Sequence, residues 1–235
     1  MDHLAYLERR EQIENYFDRT AAKAWERLTS NAPLGRIRAS VREGRNQMRD
    51  TLLSWLPADM RGLRLLDAGC GTGALAVEAM ARGAEVVAID LSPTLVKLAA
   101  ERYGEEPAHP LGGSIHFCSG DMLDAGLGSF DHVVAMDSLI HYDTPDMVQA
   151  VQRLAERTRG SILLTFAPRT PLLAAMHSVG RLFPRGDRSP ALTPVAETEL
   201  RQALLAGIGA QGWREGRSQR IASGFYTSQA WEWQR

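Results

Sequence analysis

Between residues 63 and 166 the chain alternates short apolar runs with longer segments in which apolar residues recur every three or four positions. Short apolar runs are typical of strands buried on both faces, and the longer period is typical of helices packed on a core. The predicted strands lie at 63–66, 86–89, 115–118, 132–136 and 161–166, and the predicted helices at 73–82, 93–103 and 146–157. This alternation favours a doubly wound α/β sheet.

The segments on either side of this alternation follow other patterns. In residues 34–56 the apolar side chains fall on a narrow arc of a helix, which we expect to pack on the core. They are Ile37, Val41, Met48, Leu52 and Trp55. Near the end of the chain, a helical pattern at 198–208 and strand-like runs at 213–221 and 224–233 predict a helix followed by a hairpin.

A proline-rich stretch interrupts the strand and helix rhythm between the core and this last helix. It shows no strand pattern, and we interpret it as an inserted cap. We therefore divide the chain into four regions. They are an N-terminal helical element at 1–56, an α/β core at 57–167, the cap at 168–194, and a helix with a hairpin at 195–235.

Composition narrows the functional classes. The 27 Lys and Arg residues balance 28 Asp and Glu residues, so net charge gives no support to nucleic-acid or general membrane binding. Only Cys70 and Cys118 are present, which does not indicate a disulfide framework, and we expect a reducing cytoplasm. The longest apolar runs are too short to cross a bilayer, so we expect a soluble or at most peripheral protein. We assign no set of metal-ligating residues.

The turn after the first predicted strand is rich in glycine. Gly69, Gly71 and Ala74 fit the G-x-G-x-x-G/A dinucleotide pattern, and Asp90 follows at the spacing of a ribose-binding carboxylate. However, Asp67 places a carboxylate where a dinucleotide would place its pyrophosphate, and like charges repel. S-adenosylmethionine has no phosphate and carries an ammonium and a sulfonium, so Asp67 favours that cofactor over a dinucleotide.

Further positions fit the same ligand. We expect Gly73 to complete the turn, Asp90 to accept both ribose hydroxyls, and Leu91 to lie beside the adenine. After the third strand, Asp121 is expected to accept from the adenine amino group and Met122 to cover the ring, although Asp121 would equally suit a turn cap. These residues resemble the class I methyltransferase superfamily. That resemblance implies a Rossmann-like fold with a seven-stranded, mostly parallel sheet whose last strand is antiparallel.

A narrower resemblance extends over nearly the whole chain. It is carried by Trp25 and by I-E-N-Y-F at 13–17, V-R-E-G at 41–44, D-S-L-I-H-Y at 137–142, F-A-P at 166–168 and G-F-Y-T-S at 224–228. These motifs resemble the magnesium-protoporphyrin IX methyltransferases of bacteriochlorophyll and chlorophyll synthesis. The resemblance implies transfer of a methyl group from S-adenosylmethionine to one propionate of the magnesium porphyrin, leaving S-adenosylhomocysteine.

An arginine stripe on the helix at 34–56 supplies candidate groups for such an acceptor. Its members, spaced three or four residues apart, are Arg38, Arg42, Arg45 and Arg49. Arginine binds carboxylates in a bidentate manner, and the first three are our candidates, with Arg42 matching the family motif. The alternative is a solvated helix face. His177, in the predicted cap, is a candidate axial ligand for the magnesium, or else a surface histidine.

His141 is our candidate for chemistry, because it follows the fourth strand at the carboxyl end of the sheet. A propionate with a pKa near roughly 4.5 is already ionised at neutral pH, so we expect His141 mainly to orient it. The alternative is a core histidine that caps the next helix. Tyr16 is expected to close the site over the cofactor, with a core aromatic as the alternative, and Asp137 is expected to bind the cofactor. Thr29 stands where the family commonly has a tyrosine, which puts a catalytic hydroxyl there in doubt.

Other functions remain open at this stage. A methyltransferase could act on another small carboxylate, a phenol or a quinone. A non-catalytic protein that binds S-adenosylmethionine could instead carry porphyrin for magnesium chelatase, whose porphyrin-binding subunit is a possible partner. Pathway logic also suggests contact with that subunit and peripheral association with the photosynthetic membrane.

Overall fold

The computed structural model describes residues 3–21, 29, 35–104, 111–169 and 192–235. The helices are α1 His3–Asn15, α2 Arg36–Trp55, α3 Ala74–Ala81, α4 Pro93–Tyr103, α5 Thr144–Glu156 and α6 Glu197–Ile208. The strands are β1 Arg64–Ala68, β2 Glu85–Asp90, β3 Ser114–Ser119, β4 Phe130–Ala135, β5 Thr158–Phe166, β6 Arg214–Ser223 and β7 Tyr226–Gln234. A π-helical turn follows α1, and short 3-10 turns lie at Ala125–Leu127, Leu139–His141 and Gly209–Gln211.

The strands form one seven-stranded sheet in the order β3-β2-β1-β4-β5-β7-β6. Strands β1 to β5 pair in parallel, and β7 pairs antiparallel with both β5 and β6. The predicted sheet, with its antiparallel last strand, is therefore confirmed. The strand order reverses between β1 and β4, and ligands of open α/β sheets bind beside the carboxyl ends of the strands at such a point.

Apolar side chains cover both faces of the sheet. On one face Phe166, Trp231 and Trp233 pack with α5 and α6, and on the other Met48 and Leu52 of α2 pack with α3. The predicted arc of α2 is correct from Val41 onward but wrong for its first member. Ile37 is 56% exposed, because it lies in the first turn of α2, ahead of the residues that contact the sheet.

The start of α4 agrees with the predicted boundary. Ser92 Oγ accepts a hydrogen bond from the backbone N–H of Leu95 at 3.2 Å, the contact that makes serine a good N-cap. Asp18, in the π-helical turn, adds a contact that the sequence pattern did not reveal. Its Oδ1 accepts from Ser92 Oγ at 3.2 Å and from the N–H of Thr94 at 3.0 Å. The N-terminal element is thereby fixed to the helix after β2.

The predicted cap falls mostly outside the described residues, as do Trp25 and His177. At its two ends, Pro168 and Val195 form a parallel bridge, and the N–H of Val195 donates to the carbonyl of Ala167 at 2.9 Å. The chain therefore leaves β5 and returns to α6 at one point beside the sheet. None of the described helices combines the length and the apolar character that crossing a membrane requires.

Candidate active site

Two adjoining cavities open beside the carboxyl ends of β1, β2 and β4, and both are lined by Arg45, Gly69 and Met136. We name each by its acidic residue. The residues that line the Asp90 cavity include Asp90, Leu91, Met122, Asp137 and His141. The residues that line the Asp67 cavity include Asp67, Thr72, Thr29, Arg42 and Arg49. The site therefore combines strand ends with side chains of α2.

The glycine turn takes its shape from left-handed backbone conformations. Gly69, Gly71 and Gly73 have φ values of 89°, 54° and 80°, a region that favours glycine. A Cβ on Gly69 would also lie 2.4 Å from the Cβ of Ser138. The N–H of Gly69 donates to the carbonyl of Ile89 at 2.8 Å, which holds the turn against β2. The turn therefore places backbone atoms, with no side chain over them, at the edge of both cavities.

Asp90 is held rigidly at the end of β2. Its Oδ2 accepts from the N–H of Gly71 and its Oδ1 from the N–H of Ser92, each at 2.9 Å. Burial raises the pKa of Asp90, and these backbone hydrogen bonds oppose the rise. Since each carboxylate oxygen has two lone pairs, both oxygens keep accepting capacity toward the cavity. This geometry suits a pair of ligand hydroxyls.

Asp67 is buried at the base of the other cavity, with 2% of its surface exposed. Its Oδ2 accepts no hydrogen bond from any residue that the structure describes. Burial, and then the charge of Asp90, raise the pKa of Asp67 to about 7, against the opposing effect of the Ala76 backbone hydrogen bond. A buried acceptor of this kind fits an ammonium group and disfavours a pyrophosphate.

Two of the three predicted adenine contacts lie in the Asp90 cavity. Leu91 and Met122 line it, but Asp121 is not among its lining residues. Instead, Asp121 Oδ1 accepts from the N–H of Leu123 at 2.8 Å, and Oδ2 lies 3.2 Å from Nη1 of Arg10. The turn-capping alternative is therefore observed, together with an ion pair to α1.

Asp137 is the centre of a polar network that joins the two cavities. It is the only described non-glycine residue with positive φ, at 53°. Nη1 of Arg45 lies 2.5 Å from its Oδ2, and both side chains are largely buried. Tyr226 Oη donates to the carboxylate at 3.1 Å, and Thr165 Oγ1 donates at 3.2 Å. These contacts fix a carboxylate and a guanidinium at the boundary between the cavities.

Gly44 allows α2 to approach this network. A Cβ at that position would lie 2.4 Å from a ring carbon of Tyr226, so the helix sits directly on the tyrosine ring. Burial and the Asp137 charge both raise the pKa of Tyr226, which therefore acts as a hydrogen-bond donor. The sequence reasoning missed Tyr226 and also Ser228, whose Oγ donates to Asp137 Oδ1 at 3.4 Å. Their alternation in the G-F-Y-T-S motif, which puts both on one face of β7, was the available signal.

His141 lies in the 3-10 turn after β4 and lines the Asp90 cavity, with 4% of its surface exposed. Its ring centroid is 5.8 Å from that of Phe17 in the π-helical turn. The helix-capping alternative is wrong, because Asp143 caps α5 by accepting from the N–H of Asp146. The N-terminal element contributes Phe17 and Ile13 to this cavity, whereas Tyr16 contacts the edge of Phe17.

The arginines of α2 divide into distinct environments. Arg42 and Arg45 line the Asp67 cavity together with Thr29. Arg38, one turn before Arg42, is exposed and lines neither cavity. Arg49 is ion-paired, with Nε 2.9 Å from Oε1 of Glu78. The stripe therefore runs from paired side chains inside the site to an exposed one outside it.

This fold and this site define the chain as a Rossmann-like methyltransferase of class I. A methyltransferase-domain model matches residues 65–160, and the model for the C-terminus of magnesium-protoporphyrin IX methyltransferase matches residues 135–235. The chain belongs to the magnesium-protoporphyrin O-methyltransferase family, as its similarity to whole members shows.

Two relatives and one solved structure illustrate that similarity. The chain is 45% identical to magnesium-protoporphyrin O-methyltransferase of Rhodobacter capsulatus, over 97% of both chains. It is 30% identical to the enzyme of that name from Synechocystis, again over 97% of both chains. A crystal structure of Synechocystis magnesium protoporphyrin IX methyltransferase with bound SAH superposes with a TM-score of 0.82, at 29% identity over 96% of this chain and 99% of the other.

Proposed function

We propose that this protein transfers a methyl group from S-adenosylmethionine to one propionate of magnesium protoporphyrin IX, giving the monomethyl ester. The observation that carries the proposal is Asp67, a buried carboxylate with an unused acceptor beside the glycine turn. It suits a cationic methyl donor and opposes a dinucleotide. Similarity to magnesium-protoporphyrin O-methyltransferases over the whole chain supports the acceptor.

On the donor side, we assign the core at 57–167 to the cofactor. Asp90 would accept from the ribose hydroxyls, Leu91 and Met122 would enclose the adenine, and Asp67 would bind the ammonium group. Backbone contacts with Gly69 and Gly71 suit the close approach of the ligand. Asp137 lies between the cavities and would act on the cofactor through its contact with Arg45.

On the acceptor side, we assign the element at 1–56 and the cap at 168–194 to the porphyrin. When bound, S-adenosylmethionine supplies the methyl group, which passes to a carboxylate oxygen while the carbon–sulfur electron pair stays on sulfur. Because the propionate is ionised at neutral pH, the step needs no base. The task of His141 is therefore to orient that oxygen, and in-line alignment contributes on the order of 7 to 11 kcal/mol in favourable cases. Arg42 would bind a propionate, and Thr29 borders the same cavity.

The test is methyl transfer by the isolated chain. Incubation with S-adenosylmethionine and magnesium protoporphyrin IX is expected to give the monomethyl ester and S-adenosylhomocysteine. No ester, together with turnover of a phenol or quinone, would instead identify another small-molecule methyltransferase. Binding of porphyrin without any S-adenosylhomocysteine production would favour the carrier hypothesis.

A substitution at His141 tests the orienting role. We expect His141→Ala to lower kcat at least a hundred-fold while the Kd for S-adenosylhomocysteine stays within about three-fold of wild type. The pH profile of kcat provides a second readout. A profile without a step supports orientation, and a step in wild type that disappears in His141→Gln would mean that the histidine acts as a base during turnover.

The location of the enzyme and the source of its porphyrin are a separate proposal. We propose a cytoplasmic protein that receives porphyrin from the porphyrin-binding subunit of magnesium chelatase, at or near the photosynthetic membrane. Transfer of magnesium porphyrin from that subunit faster than from free solution would support it. Equal rates from both sources would contradict it.

A further inference from the structure

Phe17 brings the N-terminal segment, which we define as α1 and the π-helical turn after it, into contact with His141. The ring of Phe17 and the imidazole have centroids 5.8 Å apart and planes tilted by 60°, within the range of an aromatic contact. Both side chains line the Asp90 cavity, as does the buried Ile13, four residues before Phe17. The Phe17 ring is therefore part of the wall against which the imidazole rests.

Asp18, the residue after Phe17, anchors this turn to the start of α4. Its Oδ1 accepts from Ser92 Oγ at 3.2 Å and from the N–H of Thr94 at 3.0 Å, across 74 and 76 positions of the chain. Ser92 is fully buried, and a hydrogen bond to a carboxylate is stronger than one between neutral groups. The π-helical turn, an irregularity often found at functional sites, is thereby held at a defined place.

The anchor point lies at the edge of the Asp90 cavity. Asp90 Oδ1 accepts from the N–H of Ser92 at 2.9 Å, and Leu91 between them lines the cavity. Ser92 Oγ also accepts from the N–H of Leu95, which gives α4 an N-cap of its own. Because α4 already has this cap, helix capping alone does not account for the contact that Asp18 makes.

The backbone of His141 is fixed from the other side of the cavity. It lies in the 3-10 turn Leu139–His141, and the N–H of Thr193 donates to the carbonyl of Ile140 in that turn at 2.9 Å. A fixed backbone still allows the imidazole to rotate about its side-chain bonds, so its orientation depends on the groups that pack against it. Phe17 is one of these groups.

We propose that Asp18 is a positioning residue for methyl transfer: by anchoring the π-helical turn, it sets the place of the Phe17 ring and, through that ring, the orientation of the His141 imidazole. The inference rests on the proposed function, in which His141 orients the reacting carboxylate. In-line transfer is sensitive to small displacements, so loss of the anchor lowers turnover. Asp67 and Asp90 lie on strands and keep their places, so cofactor affinity is retained.

A second attachment of the N-terminal segment provides the matched control. Nη1 of Arg10 on α1 lies 3.2 Å from Oδ2 of Asp121, which follows β3. This ion pair also joins the segment to a loop after a strand, but it does not involve the turn that carries Phe17. If Asp18 only held the segment against the core, Arg10→Met would have the same effect as Asp18→Ala.

The experiment measures methyl transfer to magnesium protoporphyrin IX, and the Kd for S-adenosylhomocysteine, with the full chain. We expect Asp18→Ala to lower kcat about ten-fold while the Kd stays within about three-fold of wild type. Asp18→Asn should recover most of kcat, because its amide oxygen still accepts from Ser92 and Thr94. Arg10→Met should keep kcat within about two-fold, since a partly exposed ion pair contributes little. In a His141→Ala background, Asp18→Ala should have no further effect on kcat.

Nuclear magnetic resonance of the histidine rings gives a readout that does not depend on turnover. The His141 signals, assigned by their absence in His141→Gln, are expected to shift in Asp18→Ala and in Phe17→Leu but not in Arg10→Met. Unchanged His141 signals in Asp18→Ala, or equal losses of kcat in Asp18→Ala and Arg10→Met, would overturn the proposal.

Two outcomes need a separate reading. If the wild type forms no ester but the His141 signals shift as expected, the positioning role stands and the proposed reaction fails. If Asp18→Ala does not fold, Phe17→Leu decides, and wild-type His141 signals in that variant would contradict the role of the ring.

Discussion

The donor and acceptor sides of the site are attached to the sheet in different ways. On the donor side, Asp67 and Asp90 occupy neighbouring parallel strands, so strand register alone fixes their relation. On the acceptor side, Arg42 lies on a helix, and Tyr226 of β7, whose ring packs on Gly44 of that helix, lies more than 180 residues later in the chain. Backbone pairing sets the geometry of the donor side, whereas the geometry of the acceptor side depends on side-chain contacts between separate elements.

Asp137 lies where the two halves meet. It follows β4, yet it contacts Arg45 of α2 and Tyr226 of β7. Changes at this junction should loosen the acceptor side while the strand pairing around Asp67 and Asp90 stays intact.

The largest effect is expected from Asp137→Ala. The substitution leaves the largely buried Arg45 without this carboxylate and should lower the free energy of unfolding by about 3 kcal/mol. Urea unfolding followed by tryptophan fluorescence measures the change. Asp137→Asn is the control, because the amide retains an acceptor for Tyr226 and Thr165 and should recover part of the loss. Equal midpoints for wild type and Asp137→Ala would contradict a stabilising junction.

Gly44→Ala should break the contact between α2 and β7 more locally. Its methyl group would enter the Tyr226 ring, and overpacking of this kind costs about 1 to 3 kcal/mol. Gly35→Ala, where an added Cβ meets nothing within 4 Å, is the matched control. Thermal unfolding gives the stability, and porphyrin affinity should fall more than S-adenosylhomocysteine affinity. The opposite order would mean that α2 supports the donor side.

The Asp67 pKa predicts a pH dependence confined to the donor side. Asp67 has a folded pKa of about 7 against an ordinary value of 3.8, so it is mostly protonated below neutral pH when no ligand is bound. A ligand ammonium favours the ionised form, so S-adenosylhomocysteine affinity should fall by up to about ten-fold per pH unit below 7. Calorimetry between pH 5.5 and 8 measures this, and Asp67→Asn should flatten the slope.

The same pKa has an opposite effect on the protein alone. Because the folded state binds this proton more tightly than the unfolded state, the contribution of Asp67 to stability is present below pH 3.8 and is lost as pH rises through 7. Ligand-free wild type should therefore lose stability between pH 4 and 7 relative to Asp67→Asn. Identical profiles for the two proteins would mean that Asp67 ionises normally.

The smallest effect is expected from Tyr226→Phe. The variant removes one hydrogen bond to Asp137 and keeps the ring that packs on Gly44, so about 1 kcal/mol of stability should be lost. Combining it with Asp137→Ala should add little further loss, because both changes remove the same contact. Full additivity in urea unfolding would show that Tyr226 acts elsewhere.

The sequence was informative where the determinants are local. The N-cap of α4 and the position of Asp90 at the end of β2 follow from neighbouring residues, and both were predicted. The ion pair between Arg45 and Asp137 was not predicted, because the residues are 92 positions apart and no periodicity relates them. Asp121 was predicted to face the adenine or to cap a turn; the cap is a local contact and is observed, whereas the ion pair with Arg10 of α1, 111 positions away, was not predicted.

The position of β7 constrains the order of assembly. This strand follows β6 in the chain yet lies between β5 and β6 in the sheet. Among the described strands β6 pairs with β7 alone, so it cannot take its native place in the sheet before β7 has been synthesised. The hydrogen bond from Tyr226 to Asp137 also needs β7 in place. Completion of the sheet and completion of the site junction therefore both require β7.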